Sequence, residues 1–134
     1  PVVIYDGFER DYRYLIEDIG RMLDPEKILW ISLGLLRFPA ALYGRFIEKE
    51  RKYLLTGEFV RGEDGKYRYI KPERIRIYKL LYKLLKKIDR KLFVYLCMER
   101  ADIWKEVFGI TLRDNEGLIQ LFDKRIKDLY GGML

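Results

Sequence analysis

Apolar positions along this chain change period several times, and each change marks an element. Residues 1–5 (PVVIY) form a continuous β-branched run, the pattern of a strand buried on both faces. Asp6 and Glu9 have the spacing of a capping box at a helix start. Tyr12, Leu15, Ile16, Ile19 and Leu23 then recur at helical spacing. Asp24-Pro25 ends that helix, because a residue before proline is pushed out of the α region. Residues 28–33 (ILWISL) make a second continuous apolar strand. Strand, helix and buried strand form a βαβ unit, which implies a parallel sheet with helices packed on it.

Residues 34–39 (GLLRFP) leave the carboxyl end of the second strand as a loop. Parallel sheets take ligands at that edge, so Ser32, Gly34 and Arg37 are positional candidates for a site. Equally, Arg37 could cap a helix or pair with a carboxylate. Residues 40–55 read as a charged helix. A hairpin signal follows over 56–71, where two β-rich arms (57–61 and 66–70) flank Gly62-Glu63-Asp64-Gly65. Alternation puts Tyr67 and Tyr69 on one face and Lys66, Arg68 and Ile70 on the other, with Arg61 at the turn. Such a hairpin could grip nucleic acid by phosphate contact and stacking. An ordinary solvated hairpin would carry the same residues.

Pro72 opens a long helix to about residue 89, since proline is tolerated at the first helical positions. Its core stripe is Ile75, Tyr78, Leu81, Tyr82, Leu85 and Ile88, with Arg74, Arg76, Lys79, Lys83, Lys86 and Lys87 on the flanks and outer face. Residues 92–98 (LFVYLCM) form a third buried strand, in which Cys97 is a small core residue. Glu99 closes it at the sheet edge and is a substrate-site candidate. A short helix over 101–108, packing Ile103, Trp104 and Phe108, precedes a turn and a last amphipathic helix over 118–130, closed by Gly131-Gly132. No repeat or linker interrupts the chain, so 1–134 reads as a single α/β domain.

Charge sharpens the picture more than overall composition does. The net charge is +6, but residues 31–91 hold 17 cations against 7 acids, while both flanks are slightly acidic. Clustered cations favour a polyanionic partner, because phosphate neutralisation releases counterions in proportion to their number. No apolar run approaches the roughly 20 residues of a membrane span. A single cysteine gives no disulfide framework, which suggests a reducing, cytoplasmic setting. With no histidine and one thiol, the chain lacks the donors for a zinc site, an iron–sulfur cluster or a Ser-His-Asp triad. No catalytic or metal-ligating residue is assigned on this basis.

Three stretches taken in order carry a resemblance: Trp30-Ile31-Ser32-Leu33-Gly34 with Arg37-Phe38-Pro39; Gly57-Glu58-Phe59 to Lys66-Tyr67-Arg68-Tyr69; and Val94-Tyr95-Leu96-Cys97-Met98-Glu99 with Trp104, Val107, Phe108 and Gly109. Together they resemble the carboxyl-terminal part of spore photoproduct lyase and its radical S-adenosylmethionine (SAM) relatives, called DNA repair photolyases by similarity. The resemblance implies a partial (β/α) barrel segment with parallel strands, flanking helices and an inserted hairpin. It also implies that the complete protein binds SAM and a 4Fe-4S cluster and acts on DNA. The cluster motif of that family, CxxxCxxC, lies upstream of everything present here, so the chain corresponds to the back of the barrel. Ser32 and Gly34 would then line the cofactor side, and Arg37, Arg61, Lys66, Tyr67, Arg68 and Tyr69 the nucleic-acid side. Arg61 stands at the place of the family's hairpin arginine, but Gly62 follows it and the adjoining tyrosine is unmatched.

Two other readings suit the same residues. One is a non-catalytic nucleic-acid-binding module. The other is part of a radical SAM enzyme with a non-DNA substrate, its basic middle serving only solvation. A barrel segment also has open sheet edges, so self-association or docking with a missing amino-terminal half is expected.

Overall fold

The computed structural model describes residues 1–132 and shows a mixed α/β fold. Helix α1 (Phe8–Met22) is followed by strands β1 (Ile31–Leu33) and β2 (Arg37–Pro39) and helix α2 (Ala41–Glu48). The hairpin strands β3 (Phe59–Arg61) and β4 (Lys66–Tyr69) lead into the long helix α3 (Lys71–Ile88). Strand β5 (Val94–Leu96) and helices α4 (Ala101–Phe108) and α5 (Asn115–Tyr130) complete it. No helix among the described residues is long and apolar enough to cross a membrane.

Two small sheets organise the chain. Strands β1 and β5 pair in parallel, with Ile31 opposite Val94 and Leu33 opposite Leu96. On the other edge of the β1 segment, Val2 bridges Leu35, also in parallel, through Val2 N–H to Gly34 O (2.7 Å) and Leu36 N–H to Val2 O (2.9 Å). Three parallel segments therefore lie side by side in chain order. The second sheet is antiparallel in the order β2-β4-β3.

Several expectations change here, each for a physical reason. The run at 1–5 is a single bridge, because the neighbouring amides are taken by tyrosine hydroxyls. Val3 N–H donates to the Tyr12 hydroxyl (3.1 Å) and Ile4 N–H to that of Tyr69 (2.9 Å). Asp6 forms no capping box; Gly7, at φ 84°, precedes α1 in the left-handed conformation that glycine adopts freely. Along α1, Phe8 and Ile16 are buried, whereas Leu15, Met22 and Leu23 are exposed. The 34–39 loop contains β2, whose Phe38 lies opposite Tyr67.

The helix expected over 40–55 breaks after Glu48. Phe46 packs on Phe38, but the charged run 48–52 has nothing apolar to bury. Glu50 turns the chain at φ 55°, and a 3₁₀ turn (Lys52–Leu55) follows. The hairpin and the long helix form essentially where the pattern puts them. Helix α3, in contact with α1 and α4, buries Ile77, Tyr78, Leu81 and Leu85, and it also buries Arg74, which the spacing assigns to a flank, while Ile75, Tyr82 and Ile88 of the expected stripe are half-buried. The last helix starts three residues earlier than expected, because the Asp114 carboxylate accepts from Gly117 N–H (3.0 Å) and caps it. Phe122 of α5 meets Trp30, Phe93 and Tyr95 edge-on, and Arg125 donates to the carbonyls of Ile28 and Leu29 (both 3.0 Å).

Candidate functional site

A cleft of about 500 Å³ opens at the carboxyl end of β1 and β5. The parallel pairing brings residues 32–34 beside 95–97, and residues that follow each strand line the cleft. Ser32, Gly34, Arg37, Arg68 and Glu99 all line this cleft, joined by Arg74, Tyr78, Tyr12 and Cys97. Four candidates chosen from position along the strands thus share one wall with a fifth from the hairpin.

Glu99 reaches the cleft because the chain reverses at Met98, which sits at φ 59°. A non-glycine residue in that region stores roughly 1–3 kcal/mol of strain. The surroundings hold it there by engaging the carboxylate. Glu99 Oε1 accepts from the Tyr78 hydroxyl (3.0 Å) and lies 3.2 Å from Arg74 Nε. The last contact is an ion pair without hydrogen-bond alignment. Both side chains are under one-tenth exposed. Arg74 Nη1 also donates to the Tyr69 carbonyl (2.5 Å), which ties the base of the hairpin to the cleft floor. Burial, followed by the Glu99 charge, pushes the Tyr78 phenol far above the usual tyrosine range, so it stays a hydrogen-bond donor.

The second cationic group lies higher on the wall. Arg37 and Arg68 are cross-strand partners on β2 and β4, so their side chains emerge on the same face. Like charges directly opposite repel, and one carboxylate, Asp64 of the hairpin turn, offsets both. It hydrogen-bonds Arg68 and lies 3.7 Å from Arg37. The Lys66 backbone N–H, and then the two guanidinium groups, hold Asp64 below the usual carboxylate range. Arg68 Nε is buried and has no hydrogen-bond partner. Three arginines and one buried glutamate line the cleft, leaving it cationic.

The hairpin candidates separate by face, as the alternation required, but the tyrosine face points inward. Tyr69 is fully buried against Phe59 (4.7 Å between ring centres) and cannot stack on a base. The reason is β2: by pairing with β4 it makes β4 a central strand, whose tyrosine side joins the core. Tyr67 is half-buried between Phe38 and Tyr43, at 5.7 and 5.8 Å. Lys66 is half-buried on the arginine face. Arg61 is exposed and makes no ion pair among the described residues.

Arg74 and Tyr78 were missed as cleft residues. The available signal was spacing: 74, 78, 81 and 85 fall on one helical stripe, so Arg74 belonged with the core positions. Arg68 is a local partner of Asp64, four residues on, but nothing local marks Asp64 as a shared counterion, because Arg37 reaches it only through the pairing of β2 with β4. Comparison of the chain with family models, with curated proteins and with solved structures finds no match.

Proposed function

We propose that this chain is the carboxyl-terminal portion of a spore photoproduct lyase-like radical SAM enzyme acting on DNA, with the basic hairpin face contacting the nucleic acid. The observation that carries the reading is the convergence of Ser32, Gly34, Arg37, Arg68 and Glu99 in one cationic cleft at the carboxyl end of parallel strands. Ligands of α/β barrels sit at that end. Three parallel segments that are neighbours in chain order suit a (β/α) barrel segment, and each half of a doubly wound sheet shares that order. Leu15, Met22 and Leu23 leave apolar surface open on α1, which suits an element completed by further structure or by a second copy.

The residues present do not fit a 4Fe-4S cluster. A cubane needs several thiolates and this chain has Cys97 alone, so the cluster's ligands belong to another segment of the complete protein. Within this chain, Ser32 and Gly34 offer a hydroxyl and an unobstructed backbone on the cofactor side. Arg37 and Arg68 supply cations for phosphate, and Arg61, cross-strand from Tyr67, adds an exposed cation at the hairpin turn. The coding region immediately upstream of residue 1 tests the reading: it should contain CxxxCxxC in the same frame. An upstream frame that encodes no such cysteines would remove the radical SAM assignment.

A further inference from the structure

The cleft does not end at the strand edge. Arg68 and Arg74 also line a second, shallower concavity of about 420 Å³ on the outer side of the hairpin, together with Arg61, Asp64, Lys71 and Arg100. The two concavities therefore join at Arg68 and Arg74 into one groove, whose outer part also carries Glu63 at the hairpin tip. Within it, Glu99 already neutralises Arg74, and Lys71 is paired with Asp102 (2.6 Å). Arg100 lies 3.9 Å from Asp102, exposed Arg61 has no ion pair among the described residues, and the two inner arginines, Arg37 and Arg68, share Asp64 between them.

We infer that the Arg37–Arg68 pair is a phosphate-oxyanion site whose resident counterion is Asp64, and that a DNA phosphodiester enters by displacing that carboxylate. The inference rests on the DNA reading above for its ligand source, and on the following geometry for the exchange. The Arg37 and Arg68 side chains are only about one-fifth exposed or less, whereas that of Asp64 is about two-fifths exposed on a turn. The cations are held by the sheet and the anion stands at its rim, so the anion is the member able to leave. Asp64 does not satisfy the pair: Arg37 is at 3.7 Å, beyond a hydrogen bond, and Arg68 Nε is orphaned in the interior. A phosphate offers more acceptor oxygens than one carboxylate and matches the planar guanidinium fork. The hairpin turn would thus act as a built-in competitor that weakens non-productive binding of weaker anions.

The exchange predicts a gain on removing a charge. Asp64→Asn keeps the acceptor for Lys66 N–H (3.2 Å) and so preserves the turn. Asp64→Ser is a second neutral variant whose oxygen suits the same turn. Affinity for a fluorescently labelled DNA duplex, followed by anisotropy across a salt series, should rise about threefold to tenfold at low salt in both variants. Adding Arg37→Gln to either should abolish the gain. In parallel, inorganic pyrophosphate should bind the neutral variants more tightly than the parent chain by calorimetry. Unchanged or weaker binding of both probes by folded Asp64→Asn and Asp64→Ser would overturn the exchange, even if the parent chain binds DNA. Tighter pyrophosphate binding without any DNA binding would keep the oxyanion site and remove DNA as its source.

Discussion

Replacing Arg74 by methionine is expected to lower the free energy of unfolding by about 3–5 kcal/mol, the cost of stranding one partner of a buried ion pair. Glu99 would keep a side chain only 8% exposed with no cation beside it, and the Tyr69 carbonyl would lose its donor. Domains of this size hold only about 5–15 kcal/mol in total, so the variant should sit near the edge of unfolding. Urea denaturation followed by circular dichroism gives the comparison. Arg74→Met with Glu99→Leu should recover part of the loss, because neither charge is then stranded, although the Tyr78 hydroxyl would lose its acceptor. An Arg74→Met midpoint within experimental error of the parent would mean that the pair is not buried as described.

Tyr69→Ala is expected to cost about as much, roughly 3–5 kcal/mol, by emptying a fully buried aromatic site. The milder Tyr69→Phe isolates the hydroxyl. It leaves Ile4 N–H without its acceptor and should cost about 1–3 kcal/mol. Amide exchange at Ile4 should accelerate relative to the global unfolding rate. Because Tyr69 faces the core, Tyr69→Phe should leave DNA affinity unchanged below its unfolding transition. Loss of DNA affinity with unaltered stability would instead place Tyr69 at the partner surface.

The contrast between Tyr69 and Arg68 shows how far the pattern of residues carried. Alternation correctly put them on opposite faces of β4. Which face met solvent depended on β2, and GLLRFP reads as a loop because only three of its residues pair. A strand that short owes its existence to its partner and not to its own propensity. Once Arg37 is paired opposite Arg68, the tyrosines turn inward and the arginines face the cleft. The hairpin and α3 were legible because each satisfies its own periodicity over several residues, and the apolar runs 28–33 and 92–98 marked where β1 and β5 lie, although only three residues of each form strand. The N-terminal run was not, because its amides are satisfied by side chains from α1 and β4, far away in sequence. Glu99 was legible as an edge residue, but its buried link to Arg74 and Tyr78 required the fold.

The proposed function requires the cationic cleft and the hairpin to hold a phosphate backbone. Binding of the chain to a DNA duplex between low and near-physiological salt tests that most directly. The logarithm of the association constant should fall linearly with the logarithm of salt concentration, and Arg61→Ala should flatten the slope by about 0.9, the share of one phosphate contact. No binding at low salt, or binding whose slope is the same with and without Arg61, would contradict it.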